Sequence, residues 1–130
     1  MTTREAGRTR RSRTGQQAWH SGRMAEDQIA DSYRAAGGDV LARRWRGAAG
    51  EIDLIIREGG TVVFVEVKAA ATHAGAAERL GRQQMDRIAL AACEYCSRLP
   101  DGQATPMRFD AALVDSLGRI AIVRNAFGEA

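Results

Sequence analysis

Asp53, Glu66 and Lys68 are the side chains whose types and spacing suit a shared chemistry. They lie between Gly50 and Lys68, where two runs of β-branched and large apolar residues flank Gly59-Gly60. That pattern predicts a strand, a tight turn and a second strand. A two-residue loop at the glycines sets Glu58 against Thr61, and hence Asp53 opposite Glu66 and Glu51 opposite Lys68. Directly opposed residues of an antiparallel pair project to one side, with Cβ atoms about 4.5–5.5 Å apart. Two carboxylates held that close repel unless one takes a proton or a cation lies between them. Lys68 adds an ammonium beside Glu66. The spacing alone therefore describes a candidate metal and acid–base site.

The plainer alternative is a hairpin that carries Glu51, Asp53, Glu66 and Lys68 as a solvated polar face. The apolar neighbours on that face, Ile55 and Phe64, weigh against it, as does the run Val62–Val67, whose single polar member is Glu66. Strands apolar on both faces are usually buried on both. A carboxylate buried there costs free energy unless it is paired or metal-bound. Lys68 is also the only lysine among 19 basic residues. An ammonium is a compact charge that can lose its proton when desolvated, whereas a guanidinium effectively cannot.

The elements that must position these groups follow from the rest of the chain. Its 130 residues, 45% hydrophobic and 27% charged, suit one soluble domain with a real core. No apolar run approaches the roughly 20 residues of a membrane span. The basic N-terminus is not followed by a hydrophobic segment, so a cytoplasmic protein without a secretory signal is expected. Met1 to Arg23 hold six arginines against one glutamate, a net of +5, while the remainder is −2. Residues 1–21 are expected to be a disordered arginine-rich tail ahead of a domain over 22–130. Such a tail either adds salt-sensitive affinity for phosphate backbones or serves as a solubilising leader. Cys93 and Cys96 form a lone C-x-x-C within a helical pattern, with His20 and His73 each isolated, so a zinc site is not expected.

Met24 to Ala36 reads as a helix with the apolar stripe Ala25, Ile29, Tyr33, Ala36. Glu26 beside that stripe either reaches toward the site or is a first-turn glutamate favoured by the helix dipole. Asp39 to Arg46 reads as a strand. Its Arg43, Arg44 and Arg46 are either phosphate contacts flanking a scissile bond or the solvated edge of a sheet. Ala69 to Gly75 reads as a flexible loop over the site, followed by a long helix from Ala76 to Leu99, stopped by Pro100. Gln84 on its inner stripe either touches the site or a bound phosphate, or sits at the stripe's exposed end. Met107 to Val114 and Arg119 to Arg124 read as strands around an Asp115–Gly118 turn, the first parallel to a hairpin strand through a crossover. Asp110 receives no role. The order helix, three strands, helix, two strands predicts an α/β fold: a mixed sheet of about five strands flanked by helices.

Gly50-Glu51-Ile52-Asp53-Leu54-Ile55, Val63-Phe64-Val65-Glu66-Val67-Lys68, Arg108-Phe109-Asp110 and Asn125-Ala126-Phe127 together resemble the bacterial YraN-like family of endonuclease-like proteins. Gly22-Arg23-Met24-Ala25-Glu26 and Leu41-Ala42-Arg43-Arg44-Trp45-Arg46 match its opening segments, so the resemblance runs from about residue 22 to 128. That family is similar in fold to the restriction-endonuclease-like PD-(D/E)xK superfamily, which includes archaeal Holliday-junction resolvases. The resemblance implies an α/β/α domain with Asp53, Glu66 and Lys68 at the D…E-x-K positions and Glu26 at the helix-borne glutamate of resolvase-like members. The chain departs from the family in carrying Ala69-Ala70-Ala71 after the E-V-K segment, and Arg82, Gln83 and Gln84 where a lysine is common.

These expectations converge on metal-dependent hydrolysis of DNA, with Asp53, Glu66 and Glu26 around Mg²⁺ or Mn²⁺. Lys68 would orient or help deprotonate the attacking water. A resolvase-like reaction would call for a homodimer. The competing expectation is a nuclease fold that binds nucleic acid or a repair partner without cutting it, which the acidic body favours.

Overall fold

The structure, a computed structural model, describes residues 23–127. The expected arginine-rich tail over residues 1–21 lies outside the described residues. The hairpin forms in the register read from the two glycines. Strands β2 (Glu51–Glu58) and β3 (Thr61–Ala69) pair antiparallel, with Glu58 against Thr61 and Gly59 at φ +60° in the turn. That left-handed conformation is open to glycine because it has no Cβ. Strand β1 (Asp39–Arg46) pairs antiparallel with β2. Strand β4 (Met107–Val114) runs parallel to β3, and β5 (Ile120–Val123) returns antiparallel along β4. The sheet is mixed, and its five strands stand in chain order.

β3 is central, and Val62 through Val65 are buried on both faces, as the unbroken apolar run requires. Helix α1, over residues 23–35, covers one face: Ile29, Ala30 and Tyr33 pack on Leu54, Ile56, Val63 and Val65. Helix α3 (Arg82–Cys96) covers the other, where Ala91, Ala92 and Cys96 meet Ile55, Val62 and Phe64. The chain is thus an α/β/α sandwich. No helix among the described residues is long and apolar enough to cross a membrane.

Two expectations need correction. The single helix from Ala76 to Leu99 is instead α2 (His73–Glu78) and α3, separated around Gly81, whose extended backbone caps the second. Ala76 and Leu80 join Ala111 and Leu113, whereas Ala91 and Ala92 serve the core beneath Phe64, and one straight helix does not reach both. The loop from Ala69 to Gly75 is also shorter than expected. Ala69 completes β3, Ala70 N–H still donates to the Val114 carbonyl, and Thr72 Oγ1 caps α2 by accepting from Gly75 N–H.

Asp110, given no role from the sequence, anchors the fold. It is fully buried and accepts from Tyr33 Oη at 2.6 Å, Arg108 Nε at 2.8 Å and Asn125 N–H at 2.9 Å. Arg108 also pairs with Glu58 at 3.1 Å, and Glu58 with Arg124 at 3.3 Å. Burial alone would raise the Asp110 pKa, but its donors outweigh that and hold it below the usual carboxylate range. Removing one partner of such a network strands the others. Asp110→Ala is expected to lower unfolding free energy by about 3–5 kcal/mol in urea titrations, and a loss under about 1 kcal/mol would show that the network is not the anchor.

Candidate functional site

At Asp53 the regular geometry of the hairpin gives way. The β2–β3 ladder runs from Glu58–Thr61 to Leu54–Val65 and ends there, one step short of the expected Asp53–Glu66 pair. Strict alternation would send Ile52 with Leu54 to the α1 side, yet Ile52 packs with Ile55 on the α3 side. On the neighbouring strand Arg43 pairs with Leu54 and Trp45 with Ile52, so Arg44 stands beside Asp53, and Arg44 has φ +50°. The carboxylate of Asp53 turns along the opening and accepts the Val67 backbone N–H at 2.7 Å. The expected opposition of Glu51 and Lys68 does not form: Glu51 pairs with Arg46 at 3.5 Å, and Lys68 with Glu66.

The carboxylates of Asp53 and Glu66 nevertheless meet within hydrogen-bonding reach of each other. Glu66 is 5% exposed. Its Oε2 accepts from Lys68 Nζ at 3.1 Å and from Gln84 Nε2 at 2.6 Å. Gln84 therefore reaches the site from α3, and the partner it holds is Glu66. Glu26 on α1 lies near enough for its charge to raise the Asp53 pKa, while its own carboxylate takes Arg44 Nε at 3.3 Å. Arg43 pairs with Asp27 at 2.7 Å. The three arginines singled out on β1 are thus each paired with a carboxylate.

A polar cavity of about 200 Å³ opens on the carboxylate pair, lined by Gly50, Glu51, Asp53, Glu66, Gln84, Arg87 and Ile88. A larger, mostly apolar cleft of about 550 Å³ opens elsewhere, between the start of α1 and the β4–β5 turn, and contains neither Asp53 nor Glu66. The donor set suits a magnesium-like ion, which binds oxygen, keeps several waters and is commonly held by one or two carboxylates. Asp53 and Glu66 supply those oxygens. Among the described residues no group of three or more His, Cys, Asp and Glu side chains is placed to hold a metal ion.

Sequence reasoning missed Arg87 and Glu94. Arg87 follows Gln84 by three residues on α3, the spacing that places two side chains on one helix face. Glu94 accepts the Ala48 N–H at 2.9 and 3.1 Å and so ties the loop between β1 and β2 to α3. Nothing in the sequence pointed to that contact, since 46 residues separate its partners.

A family model described as "Uncharacterised protein family UPF0102" matches residues 25–114. The chain is 54% identical over 114 residues to a UPF0102 protein of Cereibacter sphaeroides strain KD131, covering 88% of this chain and 97% of that one. A UPF0102 protein of Ruegeria pomeroyi is 55% identical over 108 residues, covering 83% and 88%. One from Roseobacter denitrificans is 44% identical over 115 residues, covering 88% and 89%.

Burial is the main cause that raises both site carboxylates, followed for Glu66 by the charge of Asp53, and the Glu66 pKa is pushed up to about 7. Between the ordinary value of 4.5 and about 7 the folded chain holds a proton that the unfolded chain has released. Stability from this group is therefore full below 4.5 and is lost as pH rises through about 7. The loss amounts to at most about 3 kcal/mol. In EDTA, urea denaturation is expected to show a weaker fold at pH 8 than at pH 5, and Glu66→Gln should flatten that difference. Equal pH dependence in the variant would remove Glu66 as its source.

Proposed function

The chain belongs to the UPF0102 family, the YraN-like proteins, and we propose that it is a divalent-metal-dependent nuclease that hydrolyses DNA phosphodiester bonds in the cytoplasm. One observation carries this reading: two carboxylates, Asp53 and Glu66, are pressed together in a polar cavity with the only lysine 3.1 Å from one of them. A scaffold gains nothing from that repulsion, whereas a site for Mg²⁺ or Mn²⁺ does. Asp53 and Glu66 would hold the ion, which when bound offsets phosphate charge and lowers the pKa of water.

The protein's own groups divide the remaining work. The Val67 N–H fixes one oxygen of Asp53, and Gln84 fixes one oxygen of Glu66, so both carboxylates are oriented before any substrate arrives. The Lys68 ammonium would orient the attacking water and offset charge on the phosphate, or, as the neutral amine, Lys68 would take the proton of that water. Glu26, held by Arg44, acts on Asp53 through its charge. Branched or flapped recombination and repair intermediates fit this reading through the likeness to the resolvases. Acting on a symmetric junction would bring two copies together.

A second reading, a nuclease fold that binds nucleic acid or a repair partner without cutting, is favoured by the net charge of −2 beyond Arg23. Purified protein is expected to cut flapped or branched DNA with Mg²⁺ or Mn²⁺. Asp53→Asn and Lys68→Ala should each reduce the rate at least about a hundredfold, and Asp53→Asn should lose Mn²⁺ binding. Cleavage that survives in both variants would point to a contaminant and sink the assignment, while Mn²⁺-independent DNA binding without cleavage would establish the second reading.

A further inference from the structure

The cavity walls are acidic, and a nucleic-acid strand must bring more negative charge to them. Glu51, Asp53 and Glu66 all line the space. The β1 arginines are each paired with an acid, Asp27, Glu26 or Glu51, and none of them lines the cavity. Arg87 is the basic side chain in the cavity wall. Among the described residues it makes no hydrogen bond or ion pair.

We propose that Arg87 is the phosphate-binding cation of this site, receiving a phosphodiester anion across the cavity from Asp53 and Glu66. The proposal rests on the nuclease reading and deepens it. The stem of Arg87 lies over the backbone of Gly50: a Cβ there would come within 3.2 Å of its Cδ and 3.3 Å of its Cγ. Gly50 also has φ +150°, a conformation that side chains rarely adopt, so the first glycine of the G-E-I-D stretch serves both the turn and the arginine. The same helix face carries Gln84, bonded to Glu66, which fixes the spacing between cation and carboxylates. A guanidinium with no committed partner presents its planar fork to two phosphate oxygens at once. An ammonium at this position would supply charge without that geometry.

The test uses the full chain, a fluorescein-labelled flapped DNA duplex read by anisotropy with Ca²⁺ at several salt concentrations, and cleavage kinetics with Mg²⁺. Arg87→Gln is expected to weaken DNA binding about tenfold and to reduce the salt slope by about one. KM should rise with kcat nearly kept, and Mn²⁺ affinity should be unchanged. Arg87→Lys should recover part of the affinity. Arg57→Gln, the same charge change on an exposed residue beside the hairpin turn, should leave binding within about twofold. If the wild type binds and cuts DNA but Arg87→Gln matches it in affinity and salt slope, Arg87 has no such role and the nuclease reading stands. Loss of Mn²⁺ affinity in Arg87→Gln would overturn the proposal by making the residue structural. A wild type that binds Mn²⁺ but neither binds nor cuts DNA would overturn both.

Discussion

Two acidic side chains, Glu66 buried and Asp53 half-buried, are held within reach of each other, and the local architecture around them is arranged to bear that cost. Asp53 is where β2 leaves β3, so one carboxylate comes from the end of a ladder and the other from the strand that continues. The opening between the strands frees the Val67 N–H for Asp53, an unpaired donor meeting an anion. The helix on the α3 face contributes Gln84, and the next outward residue of β3 contributes Lys68. The Lys68 and Val67 contacts favour the charged forms, but burial outweighs them, and both groups hold protons above the usual carboxylate range.

The contrast with Asp110 is instructive because the cost of burial is of the same kind. Asp110 is more deeply buried than Glu66, yet its pKa moves the opposite way. Asp110 has a guanidinium, a phenol and a backbone N–H; Glu66 has one ammonium, one amide and a second carboxylate. A satisfied anion of the first kind holds strands and α1 together. An under-compensated pair of the second kind keeps its pKa values raised. The acids are alike in sequence; their neighbours make the difference.

Most of the scaffold was legible because it rests on local rules. Gly59-Gly60 set a two-residue turn, and alternate residues then fell on opposite faces, which fixed the register through Leu54–Val65. The limits of β1 followed from the glycines on either side, and those of β4 from an apolar run between Pro106 and Asp115. What failed depended on long-range contacts. The helix break at Gly81 arises because Ala76 and Ala92 serve different parts of the core, which periodicity along one segment does not register. The Arg46–Glu51 pair displaced the expected Glu51–Lys68 pair because β2 has another neighbour besides β3. The proximity of Asp53 and Glu66 was read correctly from an idealised pairing, although the strands part before reaching it. The fates of Asp110 and Arg87 depended on elements tens of residues away.

The parallel contact between β3 and β4 has a consequence for the chain as it leaves the ribosome. Once the hairpin has closed, one border of β3 carries unsatisfied peptide groups beside Val62, Phe64 and Val65. Its complement is β4, which begins only at Met107, after both helices of the crossover. During that interval the most apolar strand of the protein is an open template for a neighbouring nascent chain. Glu66 and Lys68 lie near its far end, and charges there disfavour stacking of identical strands in register. The charged pair at the cavity thus also guards the strand before the sheet is complete.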